Sequence, residues 1–351
     1  MTPPARSCTV GAVTRGFGII GAGIIAAIHA DAIALLPDAR LIAVTDVVAG
    51  AAEAFAAARG CVAEPTLDDL LARHDVDVVC VCVPSGQHAD AGVRAAKAGK
   101  HLVIEKPLDV TLEAADRLLA AAREAGVALT VMSQHRFDPG VIAAKRLIDD
   151  GALGTLVLGE ASTKWYRTQE YYDSAPWRGT WALDGGALLN QGIHYVDLLR
   201  WCMGPVTEVT AVCTTQTHRI EVEDTALALV RFASGAVGTI GATTAAYPGF
   251  PQRLEITGTE GTVTVEDGQL VRVALRDAAE TGGSAGAGPS AAADPGGLDA
   301  AVHAAQLADL LAAADEGREP AVSGLDGREA LEIVRAVYES SRTGRPVRLR
   351  P

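Results

Sequence analysis

At 351 residues with a formal net charge of −13 and a pI near 5.1, the chain is long enough for two domains, each with its own core. That acidity argues against a nucleic-acid or anionic-membrane partner. A hydrophobic content of 49% beside 21% charged residues is the make-up of an ordinary globular protein.

No apolar run approaches the ~20 residues of a spanning helix, and the opening MTPPARSCTVGAVTR lacks the apolar core of a signal peptide. The cysteines at 8, 61, 80, 82, 202 and 213 form no C-x-x-C. Cys80 and Cys82 alternate in a buried-looking strand, which points to core packing in a reducing cytoplasm.

The first organised stretch is Gly16 to His29, GFGIIGAGIIAAIH. A short strand, Gly16–Ile20, runs into Gly21-Ala22-Gly23, and helix-period apolar residues follow from Ile24. This G-x-G-x-x-A joint suits a dinucleotide. Gly21 permits the tight turn, Gly23 lets a pyrophosphate approach bare backbone, and small Ala26 lets the helix sit close on the sheet. The amides opening the helix, at Ile24 and Ile25, would hold the phosphates. The bland alternative is a structural strand–helix turn in a chain with 37 glycines. A second strand, Leu41–Thr45, ends at Asp46, about 20 to 25 residues past the first glycine, where an acid reads the adenosine ribose. A carboxylate repels a 2′-phosphate, so NAD is favoured over NADP.

Strands then alternate with helical stretches up to about Ser133. The further strands are Val76–Val83, His101–Ile104 and Val127–Met132; the helices are near Ile24–Leu36, Gly50–Arg59, Thr66–Arg73, Gln87–Ala98 and Thr111–Ala125. Such alternation predicts a doubly wound parallel α/β sheet over 14–134, with ligands beyond the carboxyl ends of its strands. Thr66 and Thr111 read as helix N-caps.

Past Arg136-Phe137-Asp138-Pro139 the texture changes. A helix near Gly140–Asp150 precedes strand-like segments at Thr155–Thr163, Val206–Thr217, Asp224–Phe232, Ala236–Thr244, Arg253–Thr257 and Gly261–Glu266, and a helix at Gly192–Met203 interrupts them. This is expected to be a second, α+β domain over 135–351 with an open, mostly antiparallel sheet. Within it, the Gly/Ala/Ser/Pro run 280–297 reads as a mobile loop. Helices near Leu298–Glu316 and Gly327–Thr343 close the chain.

Three groups of residues could carry chemistry. Val83-Pro84-Ser85-Gly86-Gln87-His88 and Glu105-Lys106-Pro107 both follow strand ends at the ligand edge. Lys106 is either a functional cation there or a solvated surface lysine. In Asp184-Gly185-Gly186-Ala187-Leu188-Leu189-Asn190-Gln191-Gly192-Ile193-His194, the residues Asn190 and His194, with Asp197 and Trp201 beyond, fall at helical spacing on one face. His194 suits a proton carrier at neutral pH; the alternative is a structural histidine bonded to Asp197. A metal on His194, Asp197 or His88 is the weaker reading, because no further ligands recur at short spacing. Finally, Lys164–Tyr172 and Trp177–Trp181 concentrate aromatics in a chain only 4% aromatic. Rings beside Arg and Gln suit a sugar; a packed hairpin or a subunit interface is the alternative.

Taken with Gln134-His135-Arg136-Phe137-Asp138-Pro139, Trp177-Arg178-Gly179, Asn190-Gln191-Gly192-Ile193-His194 and Tyr338–Val347, these motifs resemble the Gfo/Idh/MocA family from about Gly16 to Val347. The resemblance implies a Rossmann domain, a second domain with an open sheet, and homodimers or homotetramers joined through those sheets. It matches Lys106 to the family's catalytic lysine and His194 to its catalytic histidine. Many relatives carry Asp where this chain has Asn190; an amide takes no proton, so Asn190 only orients or binds substrate. Two glycines, Gly185 and Gly186, also stand where relatives often have three.

The expectation is therefore an NAD-dependent oxidoreductase moving a hydride between nicotinamide and a secondary hydroxyl or ketone of a sugar, cyclitol or derivative. The cofactor candidates are Gly21, Gly23, Ile24, Ile25, Asp46, Pro84, His88, Glu105 and Lys106; the substrate candidates are Lys106, Tyr172, Trp177, Arg178, Asn190 and His194. The Asn variant also resembles a branch acting on nucleotide-linked amino sugars. Two further alternatives are an NAD-cycling glycoside-cleaving enzyme and a non-catalytic dinucleotide sensor; keeping both Lys106 and His194 argues against the sensor.

Overall fold

A computed structural model describes residues 14–277 and 299–350. Cys8 and the run 280–297 lie outside the described residues.

In the first half, hydrophobic strands and crossover helices build a six-stranded parallel sheet in the order β3-β2-β1-β4-β5-β6. The chain runs β1 (Arg15–Ile20), α1 (Ile24–Ala34), β2 (Ala39–Thr45), α2 (Ala51–Arg59), β3 (Val62–Ala63), α3 (Leu67–Ala72), β4 (Val78–Val81), α4 (His88–Lys97), β5 (His101–Ile104), α5 (Leu112–Ala125) and β6 (Leu129–Val131). Strand order reverses between β2-β1 and β4, so a crevice opens beyond the ends of β1 and β4. Thr66 and Thr111 cap α3 and α5, accepting from Asp69 N at 3.1 Å and Ala114 N at 3.2 Å. The two-residue β3 has no counterpart among the expected strands, being too short to show periodicity.

The second half continues with α6 (Pro139–Asp149), β7 (Leu156–Lys164), α7 (Gln169–Asp173), α8 (Ile193–Met203), β8 (Val206–Thr214), β9 (Thr225–Phe232), β10 (Val237–Thr243), β11 (Arg253–Gly258), β12 (Gly261–Glu266), β13 (Gln269–Leu275), α9 (Ala300–Glu316), α10 (Gly324–Thr343) and β14 (Val347–Arg348). Its eight-stranded sheet has the order β13-β12-β11-β7-β10-β9-β8-β14. Every pairing is antiparallel except β10 with β7. A π-helical turn, Ala187–Gly192, leads directly into α8.

Two late helices return to the first sheet. Leu307 and Leu310 of α9 share a core with Phe17, Ile19, Val44 and Val78. α10 closes against both halves: buried Leu331, Val334 and Val337 join the larger core, and Ser340 Oγ accepts from Ala211 N at 3.0 Å on β8. Burial of that many side chains, at about 2 kcal/mol each, fixes the halves around one cleft.

Candidate active site

A cavity of about 1410 Å³ runs from the glycine turn across the carboxyl edge of the first sheet to the π-helical turn. All nine cofactor candidates line it, from Gly21 to Lys106.

At one end, Gly21 has φ +93°, and a Cβ there would lie 2.5 Å from the Cys82 carbonyl oxygen, so only glycine makes this turn. A Cβ on Gly23 would meet nothing within 4 Å: the backbone faces open space. Gly23 caps α1 without a side-chain hydrogen bond, and the first turn carries no acid. The opening amides of α1 are thus left to an anion from the cavity. Asp46 accepts from Ala22 N at 2.6 Å and Val48 N at 2.7 Å, tying the tip of β2 to the glycine turn. Bare backbone, free amides and a carboxylate at the ribose position fit NAD.

In the middle, His88 bridges the two loops at the strand ends. Its Nδ1 lies 2.7 Å from the Pro107 carbonyl and its Nε2 2.9 Å from the Val83 carbonyl. Burial, against the pull of those carbonyls, leaves its pKa below the ordinary histidine value. Glu105 Oε1 sits 2.7 Å from His29 Nε2, and Oε2 accepts from Lys106 N at 3.1 Å. Burial alone would raise the Glu105 pKa, but the hydrogen bond and charge of His29 hold it down to about 2.

At the far end stand the two catalytic candidates, Lys106 and His194. Lys106 Nζ donates to the Asn190 backbone oxygen at 2.9 Å and Oδ1 at 3.4 Å. Burial lowers its pKa, while Glu105 and then Asp184 oppose the fall. His194 opens α8 and is buried. Burial first, then His135 and Lys106, push its pKa well below the usual value, so its imidazole is a neutral base at pH 7. Its Nδ1 is buried without a hydrogen-bond partner. The ring meets His135 edge-on, centroids 5.0 Å apart, and His135 Nδ1 lies 2.6 Å from Asp138 Oδ2.

Asp197 does not partner His194. It accepts from Arg136 Nε at 2.8 Å and Nη2 at 2.5 Å, and the Arg136 guanidinium lies over the Trp201 ring. The helical face is shared as the spacing predicts, but only its first turn reaches the cavity; deeper turns meet the segment carrying Arg136. Tyr172 also departs from expectation as a substrate contact. It is buried, 2.8 Å from Thr244 Oγ1, and does not line this cavity, whereas Tyr171 does. Neighbours on the short α7 point about 100° apart, so one faces the cleft and the next the core. Trp177 and Arg178 do line the cavity. The Arg178 guanidinium lies 4.3 Å from the Tyr171 ring centroid and 4.5 Å from that of Trp177.

Among the wall residues outside the sequence candidates are His135, Arg167, Tyr171 and Gln191. His135 stands in a motif already noted, and Tyr171 is one step from the residue chosen. Among the described residues no cluster of three or more His, Cys, Asp or Glu could hold a metal.

Residues 15–133 match the model of an oxidoreductase family with an NAD-binding Rossmann fold, and 141–264 match the GFO/IDH/MocA C-terminal domain. Inositol 2-dehydrogenase of Rhizobium meliloti (strain 1021) is 32% identical, over 93% of this chain and 97% of its own. The chain belongs to the Gfo/Idh/MocA family. Another relative, scyllo-inositol 2-dehydrogenase (NAD(+)) of Bacillus subtilis (strain 168), is 28% identical over 94% of this chain and 95% of its own. The WlbA dehydrogenase from Bordetella pertussis, solved with NADH and UDP-GlcNAcA, superposes with a TM-score of 0.86 at 33% identity, covering 96% of this chain and 99% of that one. This Gfo/Idh/MocA protein is an NAD-dependent oxidoreductase.

Proposed function

We propose that the enzyme reversibly oxidises a secondary hydroxyl of a sugar, cyclitol or sugar derivative, with Lys106 and His194 as its catalytic residues. The supporting observation is their convergence: a lysine at the end of a parallel strand and a histidine at the start of α8 line one end of the cavity whose other end suits NAD. Bound NAD supplies the hydride acceptor, C4 of the nicotinamide. A carbinol releases hydride readily only as its oxygen loses a proton. His194, kept neutral by burial, takes that proton, while the Lys106 ammonium donates a hydrogen bond to the developing alkoxide. The products are the ketone, the reduced cofactor and one proton passed from His194 to solvent.

The cofactor is held by Gly21, Gly23, Ile24, Ile25 and Asp46 at the adenosine and pyrophosphate end, and by Pro84, His88, Glu105 and Lys106 toward the nicotinamide. Asn190, Trp177, Arg178 and Tyr171 position the substrate. The test is Lys106→Met, assayed with myo-inositol, scyllo-inositol, D-glucose, UDP-N-acetylglucosamine and its uronate. Turnover of the best compound is expected to fall at least ~100-fold with NAD⁺ affinity nearly unchanged; unaltered turnover would remove Lys106 from the chemistry.

A second reading, a nucleotide-linked or acidic sugar as substrate, is favoured by Arg178. Its guanidinium lies against two rings, those of Tyr171 and Trp177, with Nη1 donating to Tyr171 OH at 2.7 Å, and it forms no ion pair with a carboxylate among the described residues. A cation so placed suits a carboxylate or phosphate. Preference for the uronate over neutral sugars, lost in Arg178→Gln, would decide for this reading.

The same proposal places the domain division at 134/135 and the enzyme in the cytoplasm, in keeping with free thiols at Cys61, Cys80, Cys82, Cys202 and Cys213. No helix among the described residues is long and apolar enough to cross a membrane. It also pairs copies through the outer face of the second sheet, where Val212, Leu227, Leu229 and Val237 are exposed on adjacent strands.

A further inference from the structure

We infer that Asp184 is a positioning residue for Lys106, acting through Asn190: it fixes which way the Asn190 carboxamide points and supplies, one residue removed, the negative charge that Asn190 lacks. This inference rests on the proposed role of Lys106.

The geometry runs in one line. Among the described residues, the hydrogen-bond partners of Lys106 Nζ are neutral: the Asn190 backbone oxygen at 2.9 Å and Oδ1 at 3.4 Å. The Asn190 amide nitrogen donates to Asp184 Oδ1. Asp184 Oδ2 accepts from Gly179 N at 2.7 Å, and the residue is 1% exposed. Both carboxylate oxygens are therefore engaged, one on the backbone and one on the amide.

A carboxamide has a donor end and an acceptor end, and only its neighbours decide which faces where. A carboxylate accepts and never donates, so Asp184 compels Asn190 to turn its NH₂ toward it and its oxygen toward Lys106. Gln191 Nε2, 3.2 Å from the same Oδ1, agrees with that orientation. The hydrogen bond to a charged acceptor also polarises the amide and strengthens its oxygen as an acceptor. The ammonium is thereby aimed without the strong ion pair that a carboxylate at 190 would make.

Replacing Asp184 by Asn reverses the logic. The new amide must keep its oxygen on Gly179 N, which turns its NH₂ toward the NH₂ of Asn190. Asn190 then flips and presents a donor to the Lys106 donor. Exchanging both residues, Asp184→Asn with Asn190→Asp, satisfies every group again: oxygen to Gly179 N, NH₂ to the new carboxylate, carboxylate to Lys106.

The experiment measures kcat, KM and NADH affinity by fluorescence for wild type, Asp184→Asn, the double exchange and Lys106→Met, using the panel compound that reduces NAD⁺ fastest. Asp184→Asn is expected to lose about 10- to 100-fold in kcat with NADH affinity within about 3-fold, and the double exchange to recover most of the loss. The inference is overturned if Asp184→Asn keeps its kcat, or if the folded double exchange is no better than the single variant, which would make Asp184 a packing residue of the Gly179 loop. If Asp184→Asn does not fold, the double exchange decides alone: active supports, folded and inactive overturns. Full turnover in Lys106→Met would instead sink the proposed role of Lys106; collapse there beside an unaffected Asp184→Asn sinks only this inference.

Discussion

Glu223 offers a test in which sign and size both follow from the structure. It is 3% exposed. Its Oε1 accepts from Leu188 N at 2.9 Å and from Tyr338 OH at 3.0 Å, while its backbone oxygen accepts from Ala187 N at 2.9 Å. It thus anchors the first residues of the turn that delivers Asn190 and His194. Burial raises its pKa from 4.5 to about 7, outweighing the hydrogen bonds that would lower it. A carboxyl whose folded-state pKa lies above its unfolded value gives stability that is complete below the unfolded pKa and is lost as pH rises through the folded one. The window is therefore about pH 4.5 to 7, and the full loss is on the order of 3 kcal/mol. Glu223→Gln keeps the shape and both hydrogen bonds without the titration. The variant should match wild type near pH 5 and be more stable at pH 8, by roughly 4 °C in Tm for a chain of this length. Thermal unfolding of both proteins from pH 5 to 8.5 isolates the Glu223 contribution, because all other titrations are shared. A variant less stable by the same amount at every pH would refute the reasoning, since it would mean that the carboxylate is charged and required throughout.

Gly23→Ala should leave Tm unchanged, because a Cβ there meets nothing within 4 Å, yet weaken NADH binding at least ~10-fold by standing where the pyrophosphate approaches. Gly21→Ala, strained at φ +93° and 2.5 Å from the Cys82 carbonyl, should cost stability as well, which calorimetry with and without NADH separates. A Cβ on Gly86 would overlap the Ala182 carbonyl oxygen across the cleft; Gly86→Ala should wedge the halves apart and raise KM several-fold in steady-state kinetics. The pH profile of kcat/KM should rise through a pKa below 6.5 as His194 loses its proton, and fall through one below 10.5 as Lys106 does. An acid limb that survives in His194→Gln would assign it to another group.

What could be read from the chain was whatever its chemistry writes locally. The glycine turn, the threonine caps and the strand–helix alternation are each spelled within a few residues, and the structure has all of them. The two-residue β3 and the strand β13 carry too little alternation to announce themselves. Long-range pairing is invisible for a different reason. His29 and Glu105 are 76 positions apart, and nothing in either neighbourhood says that the ring at the end of one motif meets the acid opening another. The alternative pairing of His194 with Asp197 fails because helical spacing fixes a face but not how far along it the cavity reaches; Asp197 meets Arg136 instead. Tyr171 and Tyr172 are chemically alike, and a one-residue step on a short helix, a rotation of about 100°, decides which one meets the cleft.

The opposite charge states proposed for Lys106 and His194 follow from where the carboxylates lie. Burial disfavours charge on Lys106 and on His194 alike. Lys106 has Glu105 and Asp184 close enough to resist the fall, whereas the charges that act on His194, from His135, Lys106 and His303, lower its pKa further. The Asp197 carboxylate, one turn further along α8, is held by Arg136 at 2.5 and 2.8 Å. One cavity therefore favours a cation at Lys106 and a neutral base at His194, the two states that the proposed withdrawal of a proton from a hydroxyl and stabilisation of its oxygen require.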